Sequence, residues 1–412
     1  MRDETSLVAL EVVEIPYGRT SADPGGHFSD NTSGDILSET FGGEAHSTCS
    51  FPENTQDRKQ HGAKSAVPHG RDAWSHVCLP LLHLPVQLSR QVSQRSSASC
   101  FFVSVFDVLS SLRFEADLVD ELPEGSSQFD ILCSHMRLNT EELKKVMPPN
   151  TVYVTILRDP VQTFESVFSY YTFSVPAFSL AKKAAETTAN RSALSVFMES
   201  PESFWDPKLP ENGLARNPMS FDFGLDLQHG NAANLTALAE AFHLIMIAER
   251  FDESLVLLQA LLKLKLEELV YVHLNARSAR SITPLDETTR ARIGAWNLLD
   301  IQLYDFSLKL FQKKVEQYGA ERLKREVDLL RASSSRIRQK CVARRDVSPE
   351  ELEELVRPWQ SDSATIVGYN VRDNLTKEEQ GFCMRLVLPE LQYHAHLYFK
   401  QYGRAMRPVP TE

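Results

Sequence analysis

An arginine stands where an apolar run ends, and a serine follows eight positions later, in "TVYVTILRDPVQTFESVFSYY", residues 151–171. A guanidinium is a rigid fork of donors matched to a phosphate, and a serine hydroxyl adds a further donor. Arg158 and Ser166 are therefore candidates to hold a phosphate between them. The competing reading is a salt bridge from Arg158 to a nearby carboxylate, with Ser166 simply hydrated. His135, in "CSHMRLN", follows an apolar run, and taken by itself it reads more readily as a histidine packed or hydrogen-bonded at a loop than as a general base. Arg277 and Arg280, in "LNARSARS", fit either phosphate or anionic-sugar contacts or structural ion pairs. Trp205, Tyr170 and Phe221 offer faces for a sugar, although aromatic residues more often belong to a core.

These residues need elements to position them. The apolar run 151–157 reads as a strand and 161–173 as a helix. Asp159-Pro160-Val161-Gln162 fits a capping box: Asp as N-cap, Pro at the first helical position and Gln at the third. At the helical period Val161, Phe164, Val167, Phe168 and Tyr171 share an apolar face, which turns Ser166 away from the sheet, toward solvent or a cleft. Phe129–Ser134 reads as a second strand that delivers His135 to the same crevice, ahead of a helix with Thr140 as its cap. A third unit joins a helix, a strand over 242–249 and a helix over 253–263. This alternation predicts an α/β fold with a mainly parallel sheet flanked by helices, and ligands bound at the carboxyl ends of the strands.

The C-terminal third reads as helical. Thr283-Pro284-Leu285-Asp286 looks like a cap, a first-turn proline and an acidic first turn, and apolar positions continue from Trp296 to Phe311. The charged mixture over 313–340 reads as a solvated helix face. Residues 1–98 are rich in Ser, Gly, His, Asp and Thr, so they read as a disordered or atypical extension. The main domain is expected over 99–405, with a tail over 406–412.

With 42% hydrophobic and 24% charged residues in 412, the chain can build a sizeable core. A formal net charge of −11 argues against nucleic acid as a partner, which would call for a basic footprint. The six cysteines are too scattered for a zinc ribbon or a CxxC motif, and no metal is expected; Cys341 and Cys383 are placed to pair if the protein is secreted. Sequons at Asn31, Asn190, Asn234 and Asn374 suggest a lumenal protein. Against that, no stretch approaches the roughly 18–20 apolar residues of a membrane span, and the first residues lack the apolar core of a signal peptide.

A strand followed by R-(D/N)-P, with a serine eight residues after the arginine, resembles the 3′-phosphate-binding motif of sulfotransferases that use 3′-phosphoadenosine 5′-phosphosulfate (PAPS). The resemblance narrows with "VTILRDPVQTFESVFSYY", "FDFGLD", "MIAERFDESLVLL", "LNARSARS", "GYNVRDNLT" and "LVLPELQYHAHLY", which follow one another in the order and spacing of the galactose-3-O-sulfotransferase family. It implies a P-loop-like sulfotransferase fold and sulfuryl transfer from PAPS to the 3-hydroxyl of galactose, on glycolipids such as galactosylceramide or on glycoproteins. It implies residence at the Golgi membrane or in its lumen. By the same resemblance Arg158 and Ser166 grip the nucleotide 3′-phosphate and His135 takes part in catalysis.

The chain departs from that family at its start. Nothing in residues 1–134 resembles the family's K-T-H-K-T-x-S-S loop, which cradles the 5′-phosphosulfate, and His61-Gly-Ala-Lys64-Ser65 lacks a preceding strand. The N-terminal part of the fold is therefore expected to be incomplete and without a membrane anchor. Two alternatives stay open: an inactive protein of this fold that binds nucleotide or glycan, and a sulfotransferase acting on glycosaminoglycans. The acidity weighs against the second, since polyanions call for a basic groove. The oligomeric state has no signature in the sequence.

Overall fold

In a computed structural model, the described residues are 7–11, 100–101, 113–122, 127–129, 131–187, 191–225, 232–274, 276–278, 284–360 and 365–404. For 7–11, 100–101, 118, 133–135 and 232–235 the description is of backbone.

The chain is mixed α/β. Five strands form one sheet in the order β2-β3-β1-β4-β5, namely β1 (Leu7–Glu11), β2 (Cys100–Phe101), β3 (Ile131–His135), β4 (Val152–Leu157) and β5 (Leu244–Ile247). Each of its four pairings is parallel. The strand over Leu7–Glu11 lies between β3 and β4, within the stretch that reads from its composition as a disordered or atypical extension. The register aligns Glu11 with His135 on one side and with Ile156 on the other. His135 is thus the last residue of β3, one step inside the strand rather than after it, and Arg158 lies two residues beyond Ile156.

Helices follow the strands. The first is α1 (Thr140–Val146), and α2 (Pro160–Tyr170) comes after β4. Asn139, not Thr140, occupies the N-cap of α1, and its side chain makes no capping bond. Asp159 caps α2, accepting from the Gln162 backbone N–H at 2.9 Å with Pro160 in the first turn. The apolar face of α2 does not lie flat on a sheet. Phe164 and Phe168 pack into an aromatic cluster with Phe178 of α3 (Pro176–Glu186) and Phe197 of α4 (Ala193–Glu199), with ring centroids 4.5–6.0 Å apart. Such offset and edge-on pairs add to the area they bury.

A short helix α5 (Pro218–Asp222) and α6 (Ala232–Glu240) precede β5, and α7 (Phe251–Leu262) follows it. The C-terminal part consists of α8 (Glu287–Trp296), α9 (Leu298–Tyr318) and α10 (Ala320–Cys341), then α11 (Lys377–Val387) and α12 (Glu390–Tyr402). Asp286 caps α8, accepting from Thr289 N–H at 2.8 Å; Thr283 lies outside the described residues. The helix does not run through from Trp296, because Asn297 breaks it before α9 begins. A second sheet pairs β6 (Ala276–Arg277), β8 (Ile366–Val371) and β7 (Val342–Val347) antiparallel. Cys341 and Cys383 form a disulfide between α10 and α11, both fully buried.

Candidate active site

Arg158 leaves the carboxyl end of β4 half-buried, and its Nη2 donates to Gln162 Oε1 at 3.1 Å. The third residue of the predicted capping box thus steadies the arginine instead of reaching back to the N-cap. The turn is tied to the neighbouring strand end: the Asp159 backbone N–H donates to Glu249 Oε1 at 2.8 Å, and the Tyr304 hydroxyl donates to Glu249 Oε2 at 2.9 Å. Burial and the adjacent Glu249 carboxylate push the Tyr304 phenol well above its ordinary value, so it stays a donor. Glu249 sits two residues after β5, level with Asp159 after β4 by the register that pairs Leu157 with Ile247. "ILRDP" and "IAERF" carry the same strand–charged-turn–helix pattern, which was the available signal for it.

Ser166 is not turned to solvent. It is 1% exposed, because α2 is covered on a second side by Arg277 of β6, a residue 5% exposed. Arg277 Nη2 donates to Ser166 Oγ at 3.0 Å. The same guanidinium holds Glu165 in a two-pronged ion pair, Nη1 to Oε1 at 3.1 Å and Nη2 to Oε2 at 2.6 Å. The Ser166 hydroxyl donates in turn to Glu165 Oε2 at 3.2 Å. Arg277 Nε is buried without a hydrogen-bond partner among the described residues.

His135 closes β3 at the same end of the sheet as Arg158. With β1 between their strands, β3 and β4 run roughly 10 Å apart, two interstrand spacings. The His135 side chain is outside the described residues, as are Arg280, Asn31 and Asn190 and the side chain of Asn234. Asn374 is exposed, two residues before the Thr376 that caps α11.

The segment after His135 is held by the "FDFGLD" stretch. Leu138 N–H donates to the Asp222 carbonyl at 2.7 Å, and Arg137 Nε donates to the Phe221 carbonyl at 3.1 Å. The Arg137 guanidinium also lies 4.2 Å from the centre of the Phe221 ring. Gly224 makes this approach possible: its φ is +75°, and a Cβ there would overlap the Leu138 carbonyl oxygen. Nothing local in "HMR" marks Arg137 for this role. Of the three aromatic candidates, Tyr170 and Phe221 are buried and Trp205 is half-buried. Tyr170 is buried against Tyr171 and Trp359, Phe221 is buried under Arg137, and Trp205 meets Trp296 edge-on beside Arg216.

Among the described residues no group of His, Cys, Asp and Glu could hold a metal ion, and no helix is long and apolar enough to cross a membrane.

The chain matches the galactose-3-O-sulfotransferase family model over residues 104–401. It is 39% identical to "Galactose-3-O-sulfotransferase 2" of Homo sapiens over 298 residues, which are 69% of this chain and 72% of that protein. It is 34% identical to "Galactosylceramide sulfotransferase" of Bos taurus over 288 residues, 68% of this chain and 66% of the relative. "Galactose-3-O-sulfotransferase 3" of Bos taurus is 35% identical over 296 residues, 68% of this chain and 67% of the relative. The chain belongs to the galactose-3-O-sulfotransferase family.

Proposed function

We propose that this protein transfers a sulfuryl group from PAPS to the 3-hydroxyl of a terminal galactose on a glycolipid or glycoprotein glycan. The observation that carries the reading is the junction of β4 and α2. It sets Arg158 at a strand's carboxyl end and brings the buried Arg277 onto Ser166 eight residues later. Guanidinium and hydroxyl donors at one strand–helix junction suit a phosphate monoester, and the nucleotide's 3′-phosphate is one. The parallel pairings and the helices after them support a P-loop-like sulfotransferase arrangement, whose ligands lie at the carboxyl ends of the strands.

His135 acts as general base from the end of β3. As the galactose oxygen forms its bond to sulfur, the bond from sulfur to the 5′-phosphate oxygen breaks; the hydroxyl proton passes to His135 and 3′,5′-ADP leaves. Arg158, Ser166 and Arg277 fix the nucleotide by its far end, which turns their binding energy into alignment at the reacting bond. The Arg137–Phe221 and Leu138–Asp222 contacts hold the backbone next to His135 in place. The catalytic domain is taken as 99–405, joined by the strand from 7–11, with 406–412 a tail.

The buried Cys341–Cys383 disulfide supports an oxidising compartment, and the exposed Asn374 sequon fits one. A Golgi lumenal location follows from this reading. Incubation of the purified protein with PAPS and galactose-terminated acceptors, with the product read by mass spectrometry and linkage analysis, tests the proposal. Sulfate on galactose O3 supports it. A folded sample that binds 3′,5′-ADP without turnover points instead to an inactive binder, and turnover on glycosaminoglycans with none on galactose points to the other acceptor class.

A further inference from the structure

Glu165 already occupies the donors that the preceding reading assigns to the nucleotide. Its Oε2 takes both the Arg277 Nη2 proton at 2.6 Å and the Ser166 hydroxyl proton at 3.2 Å. Ser166 has one hydroxyl proton, so it cannot donate to Glu165 and to a phosphate together. The Glu165 side chain is 13% exposed and that of Arg277 2%, so solvent does little to screen the carboxylate from an arriving anion.

We propose that Glu165 is an internal stand-in for the 3′-phosphate, and that it sets how tightly, and how selectively, the enzyme holds a 3′-phosphorylated nucleotide. In the empty enzyme Glu165 neutralises the buried Arg277 and keeps it against Ser166. Binding turns the Ser166 hydroxyl and the Arg277 fork toward the phosphate, and the Glu165 carboxylate gives way. After transfer, the carboxylate reclaims the same two donors and helps the 3′-phosphate of the product leave. This inference rests on the assignment of Ser166 to the 3′-phosphate.

Its signature is opposite to that of an ordinary binding residue. Glu165→Gln removes the competing charge and leaves Arg277 in need of an anion, so both effects strengthen binding. Calorimetric titration with 3′,5′-ADP and with 5′-AMP reads this, because the two differ at the contested phosphate. Glu165→Gln is expected to tighten 3′,5′-ADP about tenfold, the equivalent of about 1.4 kcal/mol, and to leave 5′-AMP unchanged. The unliganded variant should melt below wild type, and 3′,5′-ADP should raise its melting temperature more than it raises that of wild type.

Weaker binding of 3′,5′-ADP by the variant would overturn the proposal and make Glu165 a positioning residue for Arg277. An equal change for both nucleotides would overturn it too, as a general effect on the fold. Should Glu165→Gln fail to fold, Glu165→Asp draws the carboxylate back by one methylene. A preference for 3′,5′-ADP over 5′-AMP above that of wild type supports the inference, and one at or below it refutes it. Ser166→Ala separates the two layers: if it leaves 3′,5′-ADP binding untouched, the phosphate assignment itself fails, whatever Glu165 does.

Discussion

Asp300 and Asn217 cap each other's helices. The Asp300 carboxylate accepts from Met219 N–H at 3.0 Å and Ser220 N–H at 2.8 Å at the start of α5, while Asn217 Oδ1 accepts from Leu299 N–H at 3.0 Å and Asp300 N–H at 3.3 Å at the start of α9. Asn217 takes a left-handed backbone, φ 48°, to do so, and Asn297 Oδ1 accepts its N–H at 2.7 Å. The lock is buried, and α5 is the element that grips the backbone after His135.

Burial pushes the Asp300 carboxyl up to about 7, with Asp222 adding to it, while bonds from Ser220 and Met219 pull the other way. A carboxyl raised in the folded state binds more protons there than in the unfolded chain. Its contribution is therefore full below the unfolded pKa and is lost progressively as pH rises from there through about 7. From pH 5.5 to 7.5 this group should cost the fold about 2 kcal/mol. Asp300→Asn should flatten that slope in denaturant titrations at the two pH values; an unchanged slope would show that another group carries it.

Gly224→Ala meets two obstacles, a positive φ and the Leu138 carbonyl. Loss of stability by about 1–3 kcal/mol is expected, with kcat falling more than KM because the displaced backbone adjoins His135. Denaturant titration and steady-state kinetics on the same sample check both parts.

The Cys341–Cys383 bridge closes a loop with a sequence separation of 42. Cys383→Ser should lower stability by about 2–4 kcal/mol, and a reducing agent should bring wild type toward the variant while leaving the variant unmoved. Equal melting curves with and without reductant would contradict the pairing.

Asn374 and Thr376 divide one sequon between modification and folding. Thr376 Oγ1 accepts from Glu379 N–H at 3.3 Å, and Glu379 Oε2 accepts from Thr376 N–H at 2.9 Å. Expressed through the secretory pathway, the protein should carry glycan at Asn374, and Asn374→Gln should remove it without moving the melting temperature measured after deglycosylation. Thr376→Ala should remove the glycan and also cost about 1 kcal/mol. Both are read by gel shift with glycosidase treatment and by melting.

The junction at Arg158 is legible because its instructions are local. An apolar run sets the strand, Asp159 caps, Pro160 starts the helix, and the Asp159–Gln162 bond is the outcome. The surroundings of Ser166 are not, since helical periodicity describes one buried face and α2 has two. Its second cover, Arg277, lies 111 residues away in sequence. The apolar run at Leu7–Leu10 is visible in the sequence but is outweighed by the polar composition of the stretch around it, and its central place comes from pairing with β3 and β4, partners more than a hundred residues distant. Thr140 and Thr283 look like caps by residue type, yet Asn139 and Asp286 hold the N-cap positions, because a cap is defined by where the backbone turns.

The central claim is that the β4–α2 junction holds a nucleotide 3′-phosphate, and its most direct test is calorimetric titration of Arg158→Ala with 3′,5′-ADP and 5′-AMP. Loss of a charged, partly buried donor should weaken 3′,5′-ADP about thirtyfold or more and leave 5′-AMP within about twofold of wild type. Undiminished affinity for 3′,5′-ADP in a folded Arg158→Ala protein would contradict the account.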